Sequence, residues 1–466
     1  MREFLLPKKI KALKNVENAE DLFVKKDLQI GLAETSVTVF EKNGYVILDF
    51  GREICGGIRV LTYKADNVTV RIRFGESLTE CCSELGGEKN ATNDHSNRDF
   101  YVALQNYSDM TFGQTGFRFV RLDFQGRAII KSIVAESYLF KRKPQFIYSG
   151  TDETIKKIYE TAKRTVDLCA SREYLWDGIK RDRLVWIGDI HPEMLALTAL
   201  YGRLTLIEKS LNFVKNQTPL PQWMNDFPMY SMWWIIIVAD YYEYTKAEKF
   251  TKSQIKYLQG LIELMLDCVL ENGELNYPSY FVDWQTRGKA DELAGVRAIN
   301  VLAAKKAVWL LTQFGQSAEK AEELLNRLMK IDIEVKTSKQ VLGLKYLAVG
   351  LSKEDEQKLC VGGAQGMSTF MSYYILKAVA SFDKAKAVEM MKEYYGAMLD
   401  KGATSFWEDF DLSWAENSCR IDEFPNVGQK DIHGDFGAYC YKGFRHSLCH
   451  GWSAGVLRFI KEKCEQ

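Results

Sequence analysis

Six short segments of the 466-residue chain set an indole beside a carboxylate: Trp176-Asp177, Trp186 with Asp189, Trp223 with Asp226, Asp283-Trp284, Trp407-Glu408 and Trp414 with Glu416. Rigid aromatic faces next to hydrogen-bond acceptors suit a sugar, which offers C–H faces to stack and hydroxyls to bind. Tryptophan also fills core corners and acids also cap helices, so a single pair would carry little. Together the six point to a carbohydrate cleft. The densest segment runs Trp176-Asp177-Gly178-Ile179-Lys180-Arg181-Asp182-Arg183-Leu184-Val185-Trp186-Ile187-Gly188-Asp189 and continues into His191-Pro192-Glu193. Charges held against apolar walls are where pKa values move, and a carboxylic acid that donates a proton near neutrality needs its pKa raised. A second acidic centre lies in Gly402-Ala403-Thr404-Ser405-Phe406-Trp407-Glu408-Asp409-Phe410. Two remote loops, each with a carboxylate in an aromatic setting, fit glycoside hydrolysis, which needs an acid on one side of the bond and a base or nucleophile on the other.

The elements that must position these loops change character along the chain. Up to about residue 145, short alternating runs (Ser36–Phe40, Tyr45–Phe50, Gly57–Tyr63, Val68–Phe74, Phe100–Leu104, Phe117–Phe124) are separated by Gly, Asn and Asp turns. They predict an antiparallel β-sandwich over residues 1–146, with Cys81–Arg98 as a long connection. From Thr151 the period becomes helical: Ile155, Ile158, Tyr159, Ala162, Val166 and Cys169 share one face. Similar stretches recur at Leu204–Val214, Met229–Tyr244, Ile255–Leu270, Leu293–Leu311, Ala318–Met329, Thr369–Ala380, Ala385–Met398 and Trp452–Lys461. Eleven or twelve helices over residues 147–466 exceed a simple bundle; six hairpins closed into an (α/α)6 barrel are the natural arrangement. Periodicity alone does not separate that from an α-solenoid, although no repeat consensus is present.

Composition excludes other classes. Lys+Arg and Asp+Glu both number 62, a net charge of +0 that argues against a nucleic-acid partner. The apolar stretch Ile235–Ala239 ends at Asp240, far short of a membrane span. The charged start MREFLLPKKIKALKN lacks the apolar centre of a signal peptide, and ten scattered cysteines without a C-x-x-C read as free thiols, so a cytoplasmic location is expected. Gly451-Trp452-Ser453-Ala454-Gly455 matches a serine-hydrolase elbow, but no histidine follows Ser453 to complete a triad. His433, His446 and His450 with Asp431 and Asp435 lack zinc-loop spacing and read as structural or substrate-contacting. Gly362-Gly363-Ala364-Gln365-Gly366 lacks the lysine of a phosphate-binding loop. No metal or other cofactor is expected. The partner is a small carbohydrate, and a homo-oligomer stays open.

The segment Asp177…Arg181-Asp182-Arg183-Leu184…Trp186…Gly188-Asp189 resembles the catalytic-loop motif of the bacterial α-L-rhamnosidases of glycoside hydrolase family 78, Asp-Cys-Pro-x-Arg-Glu-Arg-Leu-Gly-Trp-x-Gly-Asp. Gly402-Ala403-Thr404-Ser405-Phe406-Trp407-Glu408 is similar to the family's second segment, Gly-Ala-Thr-x-x-Trp-Glu, and Asp49-Phe50-Gly51-Arg52, Gly56-Gly57 and Gly116–Val120 resemble its preceding sandwich. The resemblance implies an inverting, exo-acting α-L-rhamnosidase with Asp182 as general acid and Glu408 as general base. It implies sugar contacts from Asp177, Arg181, Trp186 and Asp189, with Trp233, Trp234, Trp284, Trp407 and His450 as further pocket residues. The sequence departs from the pattern at Asp182, where the family has Glu, at Gly178-Ile179 for Cys-Pro, and at Val185 for Gly. A carboxyl one methylene shorter matters, because about 1 Å of misplacement can cost a hundredfold in rate. Two other readings therefore stand beside the rhamnosidase: a sugar-binding relative that has lost catalysis, and a glycosidase for a different sugar.

Overall fold

The computed structural model describes residues 2–170 and 172–465, the side chain of Cys440 lying outside the description. Its first part holds β1 (Arg2–Leu5), β2 (Lys9–Glu17), β3 (Thr38–Lys64), β4 (Val68–Gly75), a short helix α1 (Leu78–Cys82), β5 (Asp99–Leu104), β6 (Ser108–Phe124) and β7 (Ala128–Tyr138). All pairings among these strands are antiparallel, in the order β1-β7-β3-β6-β4-β5, with β2 on β3. The strands expected as an antiparallel β-sandwich are joined in one hydrogen-bonded sheet. The reason is β3, 27 residues long, which unites three of the expected strands. Both its ends pair with β7 while its middle pairs with β2 and β6, with register shifts between Asp49 and Ile54 and between Gly56 and Ile58. Glycine is required at the second shift: a Cβ on Gly56 would lie 1.9 Å from the Glu136 carbonyl, and one on Gly57 2.2 Å from that of Gly113. The folded sheet encloses Phe40, Val46, Leu48, Ile58, Val70, Ile72, Phe117 and Leu122.

The rest of the chain is helical: α2 (Glu153–Cys169), α3 (Ile187–Tyr201), α4 (Thr205–Gln217), α5 (Pro228–Thr245), α6 (Glu248–Lys252), α7 (Ile255–Cys268), α8 (Glu292–Gln313), α9 (Glu319–Leu328), α10 (Lys339–Val349), α11 (Lys353–Cys360), α12 (Ser372–Val379), α13 (Lys384–Asp400) and α14 (Val456–Lys463), with two-residue strands β8 (Ser418–Cys419) and β9 (Lys430–Asp431). Neighbours pack in sequence, α3 on α5, α5 on α8, α8 on α10, α10 on α12, α12 on α14, and α14 back on α3. Outside them, α2 lies against α3, α13 and α14, α4 against α3, α9 against α7 and α8, and α11 against α10 and α12. Every residue of α3 is buried, and so is α5 from Pro228 to Tyr241. A helix packed on all sides carries no amphipathic stripe, and for this reason α3 has no periodic signature in the sequence. Among the described residues no helix is long and apolar enough to cross a membrane, and nine cysteines are free thiols.

Candidate active site

Two loops of the helical part and one of the sheet part converge beside the N-terminal end of α3. The first loop joins α2 to α3. Asp177 and Leu184 pair through their backbones, and the Asp177 carboxylate also accepts from the Leu184 N–H at 2.9 Å, pinching off the turn between them. Asp182 and Arg183 at its tip are left-handed, both with φ 53°. This backbone is costly for residues other than glycine and is held here by the surrounding contacts. The second loop follows α13. The N–H of Glu408 donates to the Ser447 carbonyl, and the Ser447 N–H returns a bond to Glu408 Oε2 at 3.1 Å. The stretch before α14 closes the site: the Gly451 N–H bonds the Asp177 carbonyl at 2.7 Å, and the His450 N–H that of Phe406 at 3.0 Å.

These loops bring Asp177, Arg181, Asp182, Trp186, Asp189, Trp284, Glu408 and His450 to one cavity of 130 Å³, the size for a single small ring. Arg181 stands between the two carboxylates, Nη1 at 3.1 Å from Asp182 Oδ2 and Nη2 at 2.5 Å from Glu408 Oε1. Deeper in, His450 Nε2 lies 3.7 Å from Asp177, 3.8 Å from Asp189 and 3.6 Å from Glu408. Phe227, Tyr230, Phe281, Tyr441 and Trp452 complete the walls. Trp186 meets Tyr230 edge-on and Trp284 meets Phe281 likewise.

Three of the expected tryptophans lie elsewhere. Trp233 and Trp234 are wholly buried in α5, the former between His191 and Tyr374, the latter against Tyr257 with its N–H on the Leu211 carbonyl. Trp407 is also buried, packed edge-on to Phe410, while its neighbour Glu408 faces the cavity. Indole area is better removed from water inside the helical core, and of the three only Trp407 has an acid beside it in sequence, whose side chain turns the other way. Ser453 is fully buried in a short 3₁₀ turn with its hydroxyl donating to the His450 carbonyl, a position that leaves no nucleophile.

Burial raises Glu408, but Arg181 and then His450 outweigh it and hold its carboxyl below the usual range. Burial likewise opposes charge on His450, yet Glu408, Asp177 and Asp189 lift it above an ordinary histidine. Desolvation dominates at Asp177 and Asp189, pushing Asp189 well up. Glu193, one turn into α3, is pushed well up by burial and then by Asp189; neither of its oxygens has a hydrogen-bond partner. His433 and His446 are driven well down by desolvation and stay neutral, His433 bonded to Ser77 and to the His446 carbonyl, His446 accepting from the Asp409 N–H. One oxygen or nitrogen each from Asp177, Asp189 and His450 lie within 4.8 Å of one another, a spacing that suits sugar hydroxyls or a cation.

The sheet part supplies the site's support. Lys180, buried beside Arg181, is held by Glu76 at 3.1 Å and Glu80 at 3.2 Å and by the carbonyls of Phe444 and His446. Glu76 also accepts from the Leu448 N–H at 2.6 Å, two residues before His450. His95, from the connection between α1 and β5, places Nε2 3.0 Å from Asp182 Oδ1. Motif reading passed over His95; the signal available was the connection itself, since a long polar loop in a compact protein is commonly functional. A larger hollow of 1190 Å³ between α2 and α13 is lined by surface Lys and Glu residues such as Lys156 and Glu389, and no buried polar groups converge there.

No protein-family model matches the sequence, and no curated protein matches it. Among solved structures, a rhamnosidase from Klebsiella oxytoca with rhamnose bound is similar over 99% of this chain and 96% of its own, with TM-score 0.76 and 18% identity. A GH78 family rhamnosidase of Bacillus sp. GL1 is similar over 95% of this chain and 48% of its own, with TM-score 0.72 and 18% identity. The Streptomyces avermitilis α-L-rhamnosidase complexed with L-rhamnose follows at 0.63 and 14%, with 89% and 42% covered. The chain thus has the fold of the family 78 rhamnosidases and spans about half the length of the latter two.

Proposed function

We propose that this protein is a glycoside hydrolase, an inverting exo-α-L-rhamnosidase that removes terminal L-rhamnose from small glycosides or oligosaccharides. The observation that carries the reading is the pair of carboxylates, Asp182 and Glu408, facing one small aromatic-walled cavity with a single guanidinium between them. The similar solved structures with rhamnose bound support it, as does the ring of α3, α5, α8, α10, α12 and α14 with partners outside, which we read as an (α/α)6 barrel.

Inversion needs carboxyls roughly 6.5–9.5 Å apart so that a water fits between the base and the anomeric carbon. Glu408, buried and ionised, takes a proton from that water as its oxygen attacks the anomeric carbon. The glycosidic C–O bond breaks, and Asp182 gives its proton to the departing oxygen. Asp182 is the more exposed of the two, its side chain 18% accessible against 4%, as befits the acid on the leaving-group side. Asp177, Asp189 and His450 offer donors and acceptors to the sugar hydroxyls, while Trp186, Trp284 and Trp452 meet its C–H faces.

The test is hydrolysis of p-nitrophenyl α-L-rhamnoside followed by proton NMR of the sugar released. The expected outcome is turnover with the β-anomer appearing first, and losses of about 10²–10⁴ in kcat for Asp182→Asn and Glu408→Gln with rhamnose binding kept. Rhamnose binding without turnover would favour the sugar-binding relative. Cleavage of another nitrophenyl glycoside instead would reassign the sugar.

A further inference from the structure

Helix α1 ends in two adjacent cysteines, Cys81 and Cys82, whose sulfurs lie 3.8 Å apart. Cys81 is buried, its Sγ donating to the Leu78 carbonyl at 3.1 Å, whereas Cys82 keeps part of its surface in solvent. Cations attend Cys82: the Arg121 guanidinium reaches its sulfur, and Arg73 donates to its carbonyl at 3.3 Å. The bond from Cys81 and then the charge of Arg121 outweigh burial and bring the Cys82 thiol down to about 7, while burial pushes Cys81 well up. Cys268, Cys360 and Cys464 are half-buried too, but burial raises each of their thiols. The thiolate is the nucleophile, so Cys82 is the more reactive sulfur at neutral pH.

A partly exposed thiolate with a second thiol in contact is the arrangement that reacts reversibly with peroxide. We propose that Cys81 and Cys82 are a peroxide-modified pair: Cys82 is oxidised first, Cys81 captures it as a disulfide between neighbours, and α1 opens as that bond forms. The Cys82 sulfur attacks one oxygen of hydrogen peroxide and the O–O bond breaks, leaving a sulfenic acid; the departing hydroxide takes up the proton that Cys82 had shed. The Cys81 sulfur then attacks the Cys82 sulfur, the S–S bond forms and the S–O bond breaks, and hydroxide leaves with the Cys81 proton as water. Two thiols are oxidised and one peroxide is reduced to two waters. Neighbouring Cα atoms sit about 3.8 Å apart across a trans peptide, against the roughly 4.4–6.8 Å that a disulfide spans, so the bond does not close on helical backbone. The same strain makes it readily reduced by an added dithiol. What α1 carries gives the modification its consequence. Glu80, the residue before Cys81, holds Lys180 at 3.2 Å and the Glu76 N–H at 2.8 Å, and its own N–H donates to Ser77 Oγ at 3.2 Å. Opening α1 therefore loosens the loop 177–184, which Lys180 anchors.

The full chain is titrated with hydrogen peroxide, blocked with iodoacetamide, digested with trypsin and weighed by mass spectrometry; the peptide Phe74–Lys89 carries both cysteines and no other. That peptide is expected to become lighter by two hydrogens and to lose both iodoacetamide labels together, before Cys268, Cys360 and Cys464 lose theirs, and dithiothreitol should restore it. In Cys81→Ser the Cys82 sulfur, with nothing to capture it, should go on to the sulfinic acid, whereas Cys82→Ser should leave Cys81 reduced at the same dose. Hydrogen exchange of the oxidised protein should show protection lost in residues 78–83 and in the loop 177–184, and regained with dithiothreitol. Wild-type Cys82 gaining oxygen without pairing, or the other half-buried cysteines reacting as early, overturns the site. A disulfide that leaves exchange in 78–83 unchanged overturns the opening of α1, and one that leaves 177–184 unchanged overturns its link to Lys180. Turnover is not read, so the outcome is independent of the hydrolase reading.

Discussion

Arg181 is the residue on which the site's electrostatics turn, because it is the largest influence holding Glu408 ionised against burial. On the proposed function, Arg181→Met should move the acid limb of the pH–kcat/KM profile upward and lower kcat/KM near neutrality by about a hundredfold, as Glu408 is both less ionised and less well placed. An acid limb that stays where it was would remove Arg181 from that role. The same shifts set pH-dependent stability. Glu408 is lowered, so its contribution is complete above the unfolded carboxyl value of about 4.3 and is lost as pH falls through the folded one. His450 is raised, so its contribution is complete below about 6.5 and is lost as pH rises through the folded value. Asp177, Asp189 and Glu193 are raised too and act in the same direction. The melting temperature is therefore expected to decline as pH rises from about 4, through the raised carboxyls, and further above about 6.5, through His450; His450→Gln should flatten the second part. At this scale the motifs named Asp177, Asp182, Asp189, Glu408 and His450, which do meet in one cavity. They misled for Trp233, Trp234 and Trp407, since residue type and spacing do not say which face of a segment is turned inward.

Elements carry two further predictions. Gly451 follows His450 at the entrance to the last 3₁₀ turn, where an added Cβ would fall 1.6 Å from Glu193 Oε1. Gly451→Ala should cost about 2 kcal/mol, read from urea unfolding, and adding Glu193→Ala should restore much of it, since the two positions contend for one space. Lys180 is the second case. Its loss as Lys180→Met strands Glu76 without its cation in the interior and leaves Glu80 only Arg98 at 3.7 Å, and should cost about 3–5 kcal/mol. Converting both to Gln in the same chain should recover a large part, and a Lys180→Met chain as stable as wild type would show the node to be inert. Element by element, the surface-facing helices α2, α9 and α13 were legible from their periodic stripes. Helix α3, buried on every side, was not, and the three expected strands that form β3 could not be joined because the bulges at Gly51 and Gly56-Gly57 read as turns.

The whole molecule behaves in this structure as one body. Arg118 of β6 pairs with Asp49 and reaches the Gly402 carbonyl and Asp422; the Leu78 N–H bonds the Ile421 carbonyl; Lys180 and His95 bind the loop between α2 and α3 to the sheet part. Calorimetry is expected to give a single unfolding transition for both parts, and residues 147–466 expressed alone should fail to fold cooperatively; two separated transitions would contradict this. The amino-acid order by itself determined the change from sheet to helix near residue 150, the helical count to within a few, and the carboxylates of the site, because alternation, period and motif are local properties of the chain. Tertiary structure alone decided which tryptophans meet solvent, that the strands form one folded-over sheet, that Arg181 separates the two carboxylates, and that His95 from the sheet part touches Asp182. Those outcomes depend on contacts between residues far apart in the chain, where close packing and the shared burial of charge select one arrangement that no local pattern encodes.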